Sequence, residues 1–269
     1  PTKAVGRRMP QGYLEVRFFD RDGRLTASPD HPEQYRPDDG ITLQAFRICD
    51  RLERLAAFCA GIKIGLSLPG PVTMTGYAVP PGRGFRTHFD CQPNFVLQVE
   101  GTKRRRFSAR PEVAWPPLTV AYAGRALELT ERYPSLKVTY PPDETDFEEQ
   151  LLSPGDVLFL PAGTWHQTES SNLSLSLTMT CIPATTADLV EDTLRGSLSR
   201  LESWRSNVPP VLPHDLRPGR LPAAVKQFLD ARLTELRRQV RSMRAEDLYA
   251  SWLRRTATFE SPLGRSLDD

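Results

Sequence analysis

The sequence predicts a mainly β protein with flanking helices: a barrel or jelly roll in the middle of the chain and a helical segment after it. Three observations carry this expectation. Between about residues 62 and 183, short apolar or alternating runs are separated by Pro/Gly turns, as many short strands would be. Residues 173–182 read Leu-Ser-Leu-Ser-Leu-Thr-Met-Thr-Cys-Ile and alternate strictly up to Cys181, which is the period of a strand. After Pro183 the apolar residues recur at threes and fours, the period of helices.

Residues 1–40 are mostly polar, with one strand candidate at 13–19 that ends in the turn Asp20-Arg21-Asp22-Gly23. Over 41–61, Leu43, Phe46, Ile48, Leu52, Leu55 and Phe58 have mostly helical spacing and predict a helix. Strand candidates follow at 72–79, 95–99, 118–122, 157–160 and 173–182. The last has one apolar face and one row of hydroxyls, Ser174, Ser176, Thr178 and Thr180. A half-buried strand would turn such a row to solvent, and a barrel with a polar interior would turn it inward. Thr185 or Thr186 can cap a helix running to about Trp204. Pro209, Pro210, Pro213, Pro218 and Pro222 then mark a linker. Val225, Leu229, Leu233, Leu236, Val240 and Met243 mark a second helix. Its other face (Lys226, Arg232, Arg237, Arg238, Arg241, Arg244) reads as a solvated basic surface. The expected organisation is an N-terminal flank at 1–61, a β core at 62–183 and a C-terminal helical region at 184–269.

The totals narrow the function. With 269 residues and 39% hydrophobic content, the chain can bury a sizeable core. A net charge of +2 gives no argument for a nucleic-acid partner. No apolar run approaches the roughly 18–20 residues of a membrane helix, and no secretory leader is visible. Cys49, Cys59, Cys91 and Cys181 include no CxxC pair, so they read as free thiols of a reducing compartment, the cytoplasm. No Ser/His/Asp triad, P-loop or dinucleotide fingerprint is present, and Gly82-Arg83-Gly84 is too short to cradle a phosphate.

The chemistry sits in His88-Phe89-Asp90 and the distal His166, two of only four histidines. On an extended chain, residues two apart point to the same side, so His88 and Asp90 can share one face while Phe89 turns away. His166 follows a Pro-Gly-Asp turn and an apolar segment read as a buried strand, which places it at the start of a later strand. Two histidines and a carboxylate with open positions are the ligand set of non-haem Fe(II) oxygenases. Catalytic zinc uses the same ligand types, so these residues alone leave the metal open. A lone His-x-Asp also fits a surface turn.

Residues 84–107, Gly-Phe-Arg-Thr-His-Phe-Asp-Cys-Gln-Pro-Asn-Phe-Val-Leu-Gln-Val-Glu-Gly-Thr-Lys-Arg-Arg-Arg-Phe, together with 152–166, resemble the jumonji-type (JmjC) 2-oxoglutarate oxygenases. The likeness is to the hydroxylase branch, which includes the hypoxia-inducible-factor asparaginyl hydroxylase and the bacterial ribosomal oxygenases. It implies a cupin-like double-stranded β-helix, Fe(II) held by His88, Asp90 and His166, 2-oxoglutarate as cosubstrate, and O2. Lys103, fifteen residues after the first ligand, falls where the branch binds the distal carboxylate of 2-oxoglutarate. Strand alternation would place Arg105 on the same face. Tyr77, Asn94 and Thr180 fall at further cosubstrate positions, and Thr180 would turn the hydroxyl row inward. Two departures stand out: Phe85 replaces a frequent Thr, and Lys103-Arg104-Arg105 replaces a frequent Lys-x-Trp. The implied reaction hydroxylates a C–H bond and releases succinate and CO2. The substrate is a peptide or protein side chain, or else a free amino acid or natural-product intermediate. A metal-binding cupin without oxygenase activity is a third reading. The resemblance also implies a homodimer through the C-terminal helices.

Overall fold

Two antiparallel sheets face one another across a cavity, and their strand order explains how residues distant in sequence meet there. The computed structural model describes residues 16–19, 40–210 and 221–257. With strands numbered in chain order, the first sheet runs β1 (Val16–Phe19), β2 (Thr42–Ala45), β3 (Val72–Val79), β9 (Ser174–Cys181), β4 (Asn94–Glu100), β7 (Val157–Leu160). The second runs β6 (Glu148–Leu152), β5 (Lys103–Phe107), β8 (His166–Ser170). This is the expected mainly β, jelly-roll arrangement. β1 covers the described part of the 13–19 candidate; the rest of it and the turn at 20–23 lie outside the described residues.

The period of two puts polar side chains inside. β3 sends Thr73, Thr75 and Tyr77 to the cavity, and β9 sends Thr178 and Thr180. Ser174 and Ser176, on the same face of β9, are fully buried. The hydroxyl row therefore faces the interior. The apolar face is needed on the outside of the sheet, where helix α1 (Glu53–Gly65) covers it. There Cys49, Cys59, Val72, Met74, Met179 and Cys181 form one core with Ile48, Leu55 and Ile62. Burying each large apolar side chain contributes about 1.5–3 kcal/mol.

Several expectations are corrected. The helix expected over 41–61 begins only at Glu53. Thr42–Ala45 is strand β2, paired with β3 through Leu43↔Ala78, Gln44↔Tyr77 and Ala45↔Gly76. Arg47 then takes a left-handed conformation (φ 50°), which interrupts any continuous helix before the short 3-10 turn Ile48–Asp50. Residues 118–122 give one bridge, Phe89↔Val120, and no strand. Helix α2 (Ala123–Arg132), which was not expected, follows and is anchored by buried Ala126 and Leu129. Val157–Leu160 is an edge strand and not a buried one: Val157 and Phe159 are exposed, and Leu160 is buried. β6, with the sequence Glu-Glu-Gln-Leu-Leu, carries no alternation that would announce it.

Residues from Ala184 to Thr258 form a second unit. It contains α3 (Thr186–Leu198), α4 (Glu202–Arg205), α5 (Ala223–Ser242) and α6 (Ala245–Ala257). Thr185 caps α3 through a reciprocal capping box with Asp188. The helix expected to reach Trp204 is broken at 199–201. Ser203, Trp204 and Arg232 all donate to the carboxylate of Glu235, and Ser251 and Arg255 to that of Asp192. α6 was not expected. Part of the proline linker lies outside the described residues. Among the described residues, no helix is long and apolar enough to cross a membrane.

Candidate metal centre

His88 reaches the cavity because the segment 82–88 runs alongside β8. Gly82 N donates to Ser170 O and Ser170 N to Arg83 O, both at 2.7 Å, and Thr168 N donates to Phe85 O at 3.0 Å. His88 N donates to His166 O at 3.0 Å and His166 N to His88 O at 2.8 Å, which sets the two histidines directly opposite. Gly84 permits this approach, since a Cβ there would lie 1.7 Å from the carbonyl oxygen of Thr168. Phe89 turns away, as alternation requires, into a core with Val120, Leu129 and Trp165. Asp90 is fixed from behind by Gly163, whose N–H donates to Asp90 O at 2.8 Å. Gly163 has φ +81°, and a Cβ would lie 2.1 Å from Val113 O.

The donor atoms of His88, Asp90 and His166 all lie within 4.8 Å of one another. The ring centroids of the two histidines are 4.2 Å apart, and His166 Nε2 is 3.8 Å from Asp90 Oδ2. Nδ1 of His88 is 2.7 Å from Arg86 O, and Nδ1 of His166 is 2.9 Å from Thr164 O. A carbonyl only accepts, so both Nδ1 atoms carry hydrogen and both Nε2 atoms offer lone pairs to the centre. Burial, followed by the neighbouring His88, pushes His166 down to about 3, which keeps that imidazole neutral. Asn94 Nδ2 donates to Asp90 Oδ2 at 2.7 Å, and Thr180 Oγ1 donates to Asn94 Oδ1 at 2.7 Å. Thr119 Oγ1 approaches Asp90 Oδ1 at 3.4 Å. Two imidazoles turned with Nε2 to the centre and a held carboxylate, open on the cavity side, fit a divalent non-haem metal ion.

The cavity holds about 350 Å³ and is lined by all seven residues singled out from the sequence: His88, Asp90, His166, Lys103, Tyr77, Asn94 and Thr180. Lys103 is 1% exposed, and its Nζ donates to Ser176 Oγ at 2.9 Å. Burial, with Arg105 adding to it, pulls Lys103 down to about 7. The Tyr77 hydroxyl accepts from Gln44 Nε2 at 2.8 Å, and burial pushes it up to about 12. Asn94 and Thr180 are engaged with Asp90 and with each other, so the structure gives them a supporting place beside the carboxylate. Arg105, Thr168, Gln44 and Phe85 also line the cavity. Arg105 was foreseen on the Lys103 face, whereas Thr168 carried no signal of its own and Gln44 fell within the expected helix.

The JmjC domain family profile matches residues 43–189. An uncharacterized protein of Bacillus subtilis, YxbC, is 32% identical over 147 residues, covering 51% of this chain and 42% of that protein. The bifunctional lysine-specific demethylase and histidyl-hydroxylase NO66 of Drosophila willistoni is 40% identical over 109 residues, covering 38% of this chain and 12% of that protein. The chain thus spans less than half the length of these curated relatives. Among solved structures, the ribosomal oxygenase YcfD of Escherichia coli, in complex with cobalt and 2-oxoglutarate, superposes with a TM-score of 0.56 at 16% identity. That match covers 93% of this chain and 61% of YcfD. With the profile matching more than half of its length and the donor set inside the matched stretch, the chain belongs to the JmjC domain family.

Proposed function

We propose that this protein is an Fe(II)- and 2-oxoglutarate-dependent oxygenase that hydroxylates a C–H bond of a peptide or protein side chain. JmjC oxygenases use Fe(II) and 2-oxoglutarate, and YcfD is known with cobalt in the presence of 2-oxoglutarate. One observation carries the reading: a single cavity pairs the His88–Asp90–His166 donor set with a lysine that has no carboxylate partner among the described residues. A metal-binding cupin without a diacid ligand has no use for that lysine, because an unpaired buried cation costs several kcal/mol.

When bound, Fe(II) and 2-oxoglutarate supply the oxidative decarboxylation that yields succinate and CO2 and delivers one oxygen of O2 to the C–H bond. The chain's own residues hold and orient. His88, Asp90 and His166 hold the metal on one side and leave the cavity side open. Asn94, steadied by Thr180, fixes the Asp90 carboxylate. Lys103 meets the distal carboxylate of 2-oxoglutarate, and Tyr77, whose oxygen already accepts from Gln44, has its own proton to donate.

The division into flank 1–61, core 62–183 and helical region 184–269 is part of this reading, as are a cytoplasmic location and a homodimer through the C-terminal helices. Support for the dimer is the resemblance together with the stripe Leu229, Leu233 and Val240 on α5, each at least 40% exposed. The test is succinate formation from 2-oxoglutarate under Fe(II) and O2, for wild type, Asp90→Ala and Lys103→Ala. Wild-type turnover should exceed both variants by at least about 100-fold, the scale of losing a metal ligand or an ion-paired anchor. Wild-type turnover no greater than that of Asp90→Ala, with candidate peptides present, would exclude the oxygenase reading.

A further inference from the structure

Strand β5 carries four consecutive basic residues, and the structure treats its two faces differently. Arg104 and Arg106 point outward and find acids: Arg104 Nη1 lies 3.4 Å from Glu149 Oε1, and Arg106 Nη1 lies 3.2 Å from Glu144 Oε2. Lys103 and Arg105 point inward and form no ion pair among the described residues, although the charge of Asp90 acts on Arg105. Arg105 is 6% exposed, and its Nε is buried with no hydrogen-bond partner. Along the ladder with β8, Lys103 faces Ser170, Arg105 faces Thr168 and Phe107 faces His166. Arg105 therefore stands between the Lys103 end of the cavity and the metal ligands, at the position where the family often has Trp.

A cation left unpaired in a dry site costs several kcal/mol and is retained where a ligand compensates it. The charges can be counted. Asp90 is the one carboxylate among the described residues that line the cavity. A divalent metal, Lys103 and Arg105 bring four positive charges, against one negative on Asp90 and two on 2-oxoglutarate. One positive charge is left over, and with Lys103 taken by the distal carboxylate of 2-oxoglutarate, Arg105 is the cation still without an ion-pair partner.

We propose that Arg105 binds a carboxylate of the substrate, so that the molecule oxidised carries an acidic group close to the reacting C–H bond. The proposal rests on the oxygenase reading and names the substrate class that reading leaves open. A guanidinium takes a carboxylate through two parallel N–H···O bonds, so Arg105 would fix the orientation of the substrate as well as its charge. The carboxylate is either an acidic side chain of a peptide or the acid group of a small molecule.

The test uses the full chain loaded with Mn(II) without O2, so nothing turns over. Calorimetry first measures 2-oxoglutarate binding. The Mn(II)–2-oxoglutarate complex is then titrated with N-acetylglycine, N-acetylglycinamide, and blocked tripeptides with a central Asp or Asn. Paramagnetic relaxation of the probe protons by Mn(II) reports binding near the metal. At least one acid should show saturable relaxation and its amide none. That signal should vanish in Arg105→Met and return in part in Arg105→Lys, while Arg105→Met keeps 2-oxoglutarate affinity within about twofold of wild type. A response from the Asp tripeptide assigns a side-chain carboxylate, and a response from N-acetylglycine alone assigns a small acid. A loss of about tenfold or more in 2-oxoglutarate affinity in Arg105→Met would make Arg105 part of the cosubstrate site and overturn the proposal. Equal relaxation from acids and amides, or none from any probe on the wild type, would overturn it as well, whether or not the variants fold. Failure of 2-oxoglutarate itself to bind the wild type would instead remove the oxygenase reading beneath it.

Discussion

Lys103 enters the interior with only Ser176 to accept from it, and its ammonium is destabilised there by burial and by Arg105. Its pKa falls from 10.5 to about 7. Between those values the folded chain binds fewer protons than the unfolded chain, so stability rises with pH across that window. The cost of the buried charge is complete below about pH 7 and disappears as pH climbs through the unfolded value. Lys103→Met should therefore raise the melting temperature at pH 7 while it abolishes 2-oxoglutarate binding. A variant that melts lower and still binds would contradict this account. A dicarboxylate arriving at Lys103 favours the charged form, so binding takes up a proton above pH 7. Calorimetric affinity for 2-oxoglutarate should be flat below about pH 7 and fall by up to tenfold per pH unit above it. Asn94 acts one step away, through the 2.7 Å bond from its amide to Asp90 Oδ2. Asn94→Ala should weaken Mn(II) affinity by about 10–100-fold with little change in the circular dichroism spectrum. Unchanged metal affinity would mean that Asp90 needs no such support.

At the scale of the element, the decisive piece is the segment 82–90, which lies outside the named strands yet places two of the three donors. Its contact with β8 depends on Gly84, where any side chain would collide with the carbonyl of Thr168. A backbone atom cannot step aside, so Gly84→Ala should push the segment off β8, separate His88 from His166 and lower metal affinity by at least about tenfold. Metal titration checks this, and Gly61→Ala serves as a comparison, since nothing lies within 4 Å of a Cβ there and Gly61 sits in helix α1. Full metal affinity in Gly84→Ala would show that the segment has another route to the same geometry. The donor set itself was legible in the sequence because His-x-Asp encodes a shared face and the Pro-Gly-Asp turn announces β7, after which His166 opens β8. The interior strands β3 and β9 were legible because alternation survives wherever one face meets a cavity and the other a helix. β2 was misread because pairing with β3 overrode the helical spacing of Leu43 and Phe46. β6 was missed because its register rests on pairing with β5, including Arg104↔Leu151 and Arg106↔Glu149, and not on burial of its own side chains. α2 was hidden among prolines, with only Ala126 and Leu129 marking its buried side.

Over the β core as a whole, the site draws on both sheets. The second sheet supplies His166, Lys103 and Arg105, and the first supplies Tyr77 together with Asn94 and Thr180, the pair through which Asp90 is steadied. Anything that binds the metal donors and Lys103 together therefore ties one sheet to the other across a polar interior. Its walls mix hydroxyls, amides and charges with Phe46, Phe85, Val96, Leu160 and Ile182, so much of the lining is polar. Ligand binding should accordingly act on global stability and not only on the local order of the site. A ligand present at 100 times its dissociation constant stabilises the folded state by about 2.7 kcal/mol. For a domain of this size that corresponds to a rise of about 5–10 °C in the melting temperature. Mn(II) alone engages His88, Asp90 and His166, and 2-oxoglutarate alone meets Lys103 with no metal to chelate. Together they should raise the melting temperature by more than the sum of their separate effects, because the bound metal supplies the second anchor of the diacid. Differential scanning calorimetry of the full chain with each ligand and with both decides this. Lys103→Met should keep the shift from Mn(II) and lose the excess. Purely additive shifts in the wild type would show that metal and diacid occupy the cavity independently, and would remove the link between His166 and Lys103 on which the proposed chemistry depends.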